Sequence, residues 1–225
     1  MVLPQDLAGD FAQYCSLNPE TLPLLERTEV GSSIPKKLAP TADLRTDLPR
    51  YRLFREGKFI EEPTDIVTLW RPDYVAFLTG CSFTFDSLLR AEGITAGPTA
   101  ACGNVPMFVT NRMTKTAGAF SGPLVVSMRV IPKRDLTRVE ELTRALPAAH
   151  GAPLQIGSPR NLGITNLALP DYGVPAPVED DEVPVFWACG VTSQAAAVRS
   201  KIRMMISHAP GHMFITDQLL DERTG

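Results

Sequence analysis

Apolar residues recur three and four positions apart near the start of the chain. Leu7, Phe11 and Tyr14 would share one side of a helix, because a helix turns once every 3.6 residues. Pro4 suits an early helical position, since its missing N–H is not needed there. Asn18 precedes a proline, which disfavours helical backbone at Asn18. The pattern predicts an amphipathic first helix that ends near Asn18.

The segment that follows is less regular. Residues 19–50 are rich in proline and weakly periodic, which predicts an extended chain that wraps over a core. Two apolar runs, Tyr51–Arg55 and Lys58–Glu61, then flank Glu56 and Gly57. A turn that contains glycine between two such runs is typical of a β-hairpin.

Two segments share one arrangement of strand, turn and helix. Residues 74–80 form a nearly continuous apolar run, and a helical pattern follows that ends at Gly93. Residues 183–190 repeat the run, a helix is predicted over 194–205, and a third apolar run follows at 213–216. Continuous apolar runs are typical of parallel strands that are buried on both faces. The pattern therefore predicts that both strands lie in one sheet, with both turns at the same edge.

The pattern changes between these two units. It predicts strands over residues 106–110, 122–129 and 152–156, and a helix that begins at Asp135 and continues to Leu146. Strand, strand, helix, strand is an order typical of a small two-layer α+β unit.

These elements together predict an α/β fold. We expect residues 1–104 and 160–225 to form a three-layer α/β/α sandwich, the larger domain. Residues 105–159 would form a smaller, inserted two-layer α+β domain.

Composition narrows the class of protein. Lysine and arginine number 22 against 25 aspartate and glutamate, a formal net charge of −3, so we expect no nucleic acid and no membrane as a partner. A hydrophobic content of 44% excludes a disordered chain. The first residues lack the pattern of a secretory leader, and the longest apolar run, 183–191, is far shorter than the roughly 20 residues of a membrane helix. We expect a cytoplasmic protein. A homo-oligomer is possible on this composition.

Polar side chains stand beside the predicted helix starts in both strand–turn–helix units. Cys81 and Ser82 lie at the first turn, and Thr192 and Ser193 lie at the second. Helix N-termini carry free N–H groups and a partial positive charge, which suit a carboxylate. Neither turn matches a nucleotide-binding loop. Cys81 and Cys189 could act as nucleophiles if a helix N-terminus lowers the thiol pKa, or they could be inert core residues.

The chain has three histidines, at positions 150, 208 and 212. His208 and His212 flank Pro210 and Gly211, which forbid a regular helix there, so both imidazoles belong to a turn. Imidazole titrates near neutral pH and can transfer protons. The alternative is that all three rings are bonded to nearby backbone. We take His150, His208, His212 and Asp217 as the candidate catalytic residues.

Metal binding is the other interpretation of the same histidines. Zinc would need a third ligand beside His208 and His212, such as Asp217, His150 or Cys189. Asp217, however, follows the predicted strand at 213–216, and four residues of strand span roughly 13 Å. No short spacing joins two cysteines in the way that an iron–sulfur cluster needs; they are Cys15, Cys81, Cys102 and Cys189. We therefore predict no metal and no organic cofactor.

Two arginines and an asparagine are candidates for substrate binding. Arg129 follows the apolar run of a predicted strand and could clamp a carboxylate through its planar fork. For Arg112 we favour a structural or solvated role, although it could also bind the substrate. Asn104 could orient a substrate or begin a turn. Ser82, Thr192, Ser193 and Cys81 complete the set of candidate substrate-binding residues.

Six segments, in this order, resemble the D-glutamate cyclase family: Gly80-Cys-Ser-Phe-Thr-Phe-Asp, Asn104-Val-Pro-Met-Phe, Gly122-Pro-Leu-Val-Val-Ser-Met-Arg, His150-Gly-Ala-Pro, Phe186-Trp-Ala-Cys-Gly-Val-Thr and His208-Ala-Pro-Gly-His-Met. The resemblance implies a three-layer α/β/α domain with a smaller two-layer one, and a further segment before the position of Val2. The chain departs from the family pattern at Asp86, where glutamate is usual, and at Ser193, where proline is usual.

The resemblance also implies a function. We expect a hydro-lyase, a carbon–oxygen lyase that acts on a small amino or hydroxy dicarboxylic acid, with D-glutamate converted to 5-oxo-D-proline and water. Histidines would transfer the protons, helix N–H groups would stabilise the oxyanion, and Arg129 would hold the free carboxylate. The alternative function is a carboxylate-binding or regulatory protein without turnover.

Overall fold

The computed structural model describes residues 1–96 and 103–218, so Cys102 lies outside the described residues. Within these ranges the fold is a mixed α/β structure with two antiparallel sheets and four α-helices. The helices are α1 Gln5–Leu17, α2 Phe83–Ala91, α3 Leu136–Arg144 and α4 Val191–Arg199.

Six strands form the first sheet, in the order β2-β5-β1-β10-β3-β4. They are β1 Val2–Pro4, β2 Leu24–Arg27, β3 Tyr51–Arg55, β4 Lys58–Glu61, β5 Tyr74–Thr79 and β10 Met204–His208. Four strands form the second sheet, in the order β6-β7-β9-β8. They are β6 Met107–Met113, β7 Pro123–Pro132, β8 Gln155–Ile156 and β9 Glu182–Ala188.

Several local predictions are confirmed. Helix α1 ends at Asn18, whose side-chain amide donates to the carbonyl oxygen of Tyr14 at 2.8 Å. Strands β3 and β4 form the predicted hairpin. The irregular chain before β3 covers one face of the first sheet, where Leu44 and Leu48 pack against Tyr51.

The prediction of one parallel sheet is wrong. Strand β5 lies in the first sheet and β9 lies in the second, and every strand pair of the described residues is antiparallel. Strand β5 is apolar throughout because it is an interior strand with core on both faces, which antiparallel pairing also allows. The predicted three-layer sandwich is therefore not confirmed. Because β9 pairs with β7, the second sheet also reaches beyond residues 105–159; the division into two domains stays a prediction.

The two sheets exchange their helices. Helix α2 follows β5 of the first sheet, yet Phe85 and Leu89 of α2 pack with Trp187 in the core of the second sheet. Helix α4 follows β9 of the second sheet, yet its Ala196 and Ala197 belong to the core of the first sheet. The chain thus crosses between the sheets twice. We call residues 80–82 the first junction and residues 189–190 the second junction.

The two junctions lie close together, and the first packs tightly against neighbouring backbone. A Cβ atom at Gly80 would overlap the carbonyl oxygen of Ala148, and a Cβ atom at Gly190 would lie 3.9 Å from the carbonyl oxygen of Gly80. Glycine at position 80 is therefore required by the close approach of the neighbouring backbone.

The end of α4 differs from the prediction. The helix ends at Arg199, Lys201 has a φ of 51°, and Met204–His208 form β10 in the middle of the first sheet. Strand β10 pairs with both β1 and β3, so Met205 and Ile206 are buried on opposite faces. Residues 213–216, predicted as a strand, have no regular structure. Of the helices described, none is long and apolar enough to cross a membrane.

Candidate functional site

A cavity of about 180 Å³ lies between the two sheets. Both junctions line it, together with the segment around Asn104 and the end of β10 at His208. The prediction that the turns at Cys81 and Cys189 meet at one place agrees with this cavity, although antiparallel strands of different sheets bring the turns together.

The cavity has an apolar and a polar part. The apolar part includes Leu38, Leu44, Tyr51 and Phe214. The polar lining residues are Thr79, Ser82, Asn104, Ser127, His150, Ser193, Gln194, Ser207, His208 and Thr216. No Asp, Glu, Lys or Arg side chain lines it among residues 1–96 and 103–218. A ligand would therefore meet neutral hydrogen-bonding groups and imidazoles.

His150 is buried and held by the backbone. The residue is 3% exposed, has a φ of 77°, and its Nδ1 lies 2.9 Å from the carbonyl oxygen of Glu20. A carbonyl only accepts, so the neutral ring carries its proton on Nδ1 and its lone pair on Nε2. Burial lowers the pKa of His150 to about 4, although the bond to Glu20 opposes this shift. His150 is therefore neutral at pH 7 and can act as a base.

The ring of His208 is also bonded to a backbone carbonyl oxygen through Nδ1. The residue ends β10, lines the cavity, and its Nδ1 lies 2.8 Å from the carbonyl oxygen of Ala209. Burial lowers the pKa of His208 below its ordinary value. The cavity thus holds two neutral imidazoles, and Nε2 of each carries a lone pair without a hydrogen-bond partner in the described chain.

The pKa of His150 makes stability depend on pH. Between about pH 6.5 and 4 the unfolded chain binds a proton that the folded protein does not, so the free energy of unfolding decreases as the pH falls through this window. At about 1.4 kcal/mol per pKa unit, His150 contributes a decrease of about 3 kcal/mol. We expect urea unfolding at pH 7.5 and 4.5 to show this loss, and His150→Gln to lose less. Equal losses in both proteins would contradict the assignment.

Five predicted site residues lie outside the cavity lining, and Arg129 is one of them. His212 is half-buried and contacts the carbonyl oxygen of Pro210. Asp217 and Arg112 are exposed. Thr192 is buried, but its hydroxyl bonds the backbone of Val125 and holds α4 against β7. Pro210, Gly211 and Met213 line the cavity, but the His212 side chain between them does not.

The position and partners of Arg129 also differ from the prediction. It is 0% exposed and does not line the cavity. Its guanidinium binds Asp86 through two hydrogen bonds, from Nε at 3.0 Å and from Nη2 at 2.8 Å. The edge expected to clamp a substrate carboxylate is therefore occupied by a carboxylate of the protein itself.

Cys81 and Cys189, the cysteines of the two junctions, are protonated thiols and not thiolates at neutral pH. Both line the cavity, and burial raises the pKa of Cys189 to about 12 and also raises the pKa of Cys81. Backbone N–H groups at the two helix starts oppose this shift but do not overcome it. The Cys189 thiol contacts Sδ of Met107 at 3.7 Å. These residues therefore act as small apolar groups here.

Ser127 and Gln194 are polar lining residues that were not among the predicted site residues. Ser127 interrupts the apolar run of β7, and a lone hydroxyl residue in a buried strand could have indicated it. Gln194 lies in the first turn of α4, is 8% exposed, and its side chain forms no hydrogen bond with another described residue. The side chain lines the cavity, so a ligand there can form hydrogen bonds with its amide.

A protein metal site needs several acidic, cysteine or histidine side chains close together. In residues 1–96 and 103–218, no group of three or more is arranged to hold a metal ion. His208 lines the cavity, whereas His212 does not.

Comparisons with known proteins give a consistent result. The profile of the D-glutamate cyclase family matches residues 75–217. The chain is 49% identical to a "Putative hydro-lyase" of Rubrobacter xylanophilus, over 97% of this chain and 84% of that protein. It is 51% identical to one from Geobacillus kaustophilus, over 100% of this chain and 85% of that protein. A nitrogen repressor-like protein from Methanococcus jannaschii superposes with a TM-score of 0.44 at 10% identity, over 96% of this chain and 82% of that one, which supports no conclusion.

Proposed function

The chain belongs to the D-glutamate cyclase family, and on this premise we propose that it is a hydro-lyase that forms a ring from a small amino dicarboxylic acid, D-glutamate being the first candidate. The relatives named hydro-lyases support the reaction class. The substrate and the roles of individual residues are part of the proposal.

The observation that carries the proposal is the pair of neutral imidazoles in one cavity, His150 and His208. In the reaction, the ammonium nitrogen of D-glutamate loses two of its three protons and bonds to the side-chain carboxyl carbon. One carboxyl oxygen receives both protons and leaves as water, and the third proton stays on the lactam nitrogen. The chemistry therefore needs groups that accept a proton and return it, which neutral imidazole does.

The first turn of α4 supplies hydrogen-bond donors for the same reaction. The side-chain amide of Gln194 has two N–H donors and is free to bind a ligand oxygen. The N-terminus of α4 adds a partial positive charge near Gly190. These groups can stabilise the oxyanion that forms when nitrogen attacks the carboxyl carbon.

The polarity of the cavity fits a substrate that carries its own positive charge. An amino dicarboxylate has one ammonium and two carboxylates, so it enters a site without charged side chains as a monoanion. Transfer of a proton from the substrate ammonium group to an imidazole would leave this net charge unchanged.

Turnover of D-glutamate tests the proposal. We expect purified protein incubated with D-glutamate to yield a product 18 Da lighter, detected by mass spectrometry, and L-glutamate, D-aspartate and the corresponding hydroxy diacids serve as comparison substrates. Saturable binding of these acids with no product from any of them would contradict catalysis and favour a carboxylate-binding protein. A Gln13→Ala variant, on the exposed face of α1, should match the unsubstituted protein.

A further inference from the structure

Two buried serines share the guanidinium of Arg129. Nη1 of Arg129 donates to Oγ of Ser127 at 2.7 Å, and Nη2 donates to Oγ of Ser82 at 3.0 Å. Ser82 is 4% exposed and Ser127 is 0% exposed, and both line the cavity. The Arg129 side chain itself does not line it. The arginine therefore reaches the cavity only through the two hydroxyl groups.

The direction of these hydrogen bonds decides what the hydroxyls can do. A guanidinium has only donors, so both serine oxygens must accept from Arg129. The proton of each hydroxyl is then available to donate, and neither hydroxyl donates to another residue of the described chain. Ser82 also forms no side-chain hydrogen bond with its own helix, although it stands at the N-cap of α2. Its hydroxyl is bonded to Arg129 instead of capping the helix.

Asp86 completes the arrangement. It occupies the edge of the guanidinium formed by Nε and Nη2, and the serines bind two of the three remaining N–H donors. The carboxylate of Asp86 balances the charge of Arg129, so the cavity receives two polarised O–H donors without a net positive charge.

We propose that the hydroxyls of Ser82 and Ser127, held as donors by Arg129, form the subsite for one carboxylate of the substrate. This inference rests on the proposed function for the identity of the substrate, but the subsite is a property of the serines and can be measured by binding alone. Two O–H donors side by side match the two oxygens of a carboxylate, and charge-assisted hydrogen bonds of this kind are stronger than neutral ones. Arg129 is then a positioning residue, because it acts through the serines.

Binding of glutarate tests the subsite without any chemical step. Glutarate has two carboxylates and no amine, so it cannot form a lactam. Its diamide, glutaramide, has the same chain length and no charge. We expect titration calorimetry to show that Ser82→Ala and Ser127→Ala each weaken glutarate binding about tenfold, the size expected for a hydrogen bond to a charged group. Binding of glutaramide should change less than about threefold, since the cavity keeps its shape.

Matched variants separate the subsite from general damage. Ser87→Ala removes an exposed hydroxyl from the same helix and should leave glutarate binding unchanged. Ser127→Cys keeps the shape but offers only a weak donor, and it replaces Ser127→Ala if that variant does not fold. In Arg129→Met with Asp86→Leu, both serines remain but lose their partner. The preference for glutarate over glutaramide should then fall about tenfold, which a purely structural role of Arg129 would not cause.

The possible outcomes are distinct. Unchanged glutarate binding in the Ser82→Ala and Ser127→Ala double variant would overturn the subsite, as would equal weakening of glutarate and glutaramide. Failure of the unsubstituted protein to bind glutarate, succinate or malonate would overturn it too. If glutarate binding depends on the serines but D-glutamate gives no product, the subsite is supported and the proposed reaction is wrong.

Discussion

Replacing His150 with glutamine is expected to lower the turnover of D-glutamate by about 100-fold or more, the usual contribution of a proton-transfer group. Glutamine can still donate an N–H to the carbonyl oxygen of Glu20, which His150 contacts in the structure. Its amide, however, cannot accept a proton from the substrate ammonium group and return it. We expect kcat to carry most of the loss, while KM changes little.

The control for this prediction is a variant that loses stability without touching the cavity. Val139→Ala truncates a residue in the core between α3 and the second sheet, and its turnover should match that of the unsubstituted protein at temperatures where both are folded. His208→Gln should resemble His150→Gln. A loss of less than threefold in both histidine variants, or a large loss only in His212→Gln, would show that the cavity histidines do not transfer the protons.

Replacing Arg129 with methionine is expected to lower the free energy of unfolding by about 3–5 kcal/mol, the usual cost of removing one member of a buried ion pair. The substitution leaves the carboxylate of Asp86 without its cation and the hydroxyls of Ser82 and Ser127 without their donor. The Arg129 guanidinium also lies 5.0 Å from the ring centre of Phe85, so a cation–π contact is lost as well. Urea unfolding at pH 7.5 measures the change.

Two further variants show whether the loss arises from the unpaired carboxylate. Arg129→Met combined with Asp86→Leu should recover much of the stability, because apolar residues can replace a buried ion pair at little cost. Arg138→Met removes an arginine that is 50% exposed and paired with Glu92 at 2.9 Å, and it should cost less than about 1 kcal/mol. A similar cost for Arg138→Met and Arg129→Met would contradict a special role of burial at Arg129.

Local pattern predicted the helices and several strands. The apolar spacing of Leu7, Phe11 and Tyr14 indicated α1, and the structure has α1 at these residues. The apolar runs of β5 and β9 and the hairpin at Glu56 and Gly57 were likewise predicted. These elements depend on interactions within a few residues, so the sequence around them contains the necessary information.

Strand pairing could not be predicted in the same way. A continuous apolar run indicates that both faces of a strand are buried, but it does not identify the strands that pair with it. Strand β9 pairs with β7, whereas β5 pairs with β1 and β2, and both runs are apolar for the same reason. Met204 and Met205 illustrate the point, since they were predicted as the end of a helix but begin β10, which lies between two distant strands.

Local sequence patterns indicated the helices, several strands, the family resemblance, and the side chains available for proton transfer and hydrogen bonding. Only the packing of the two sheets determines which of these side chains meet. It brought His150 and His208 to one cavity and left His212 outside the lining. It paired Arg129 with Asp86, 43 positions away, and bonded the same guanidinium to the hydroxyls of Ser82 and Ser127. Contacts of this kind join residues far apart in the chain, and their free energy depends on burial, charge and geometry that arise only when both sheets have packed.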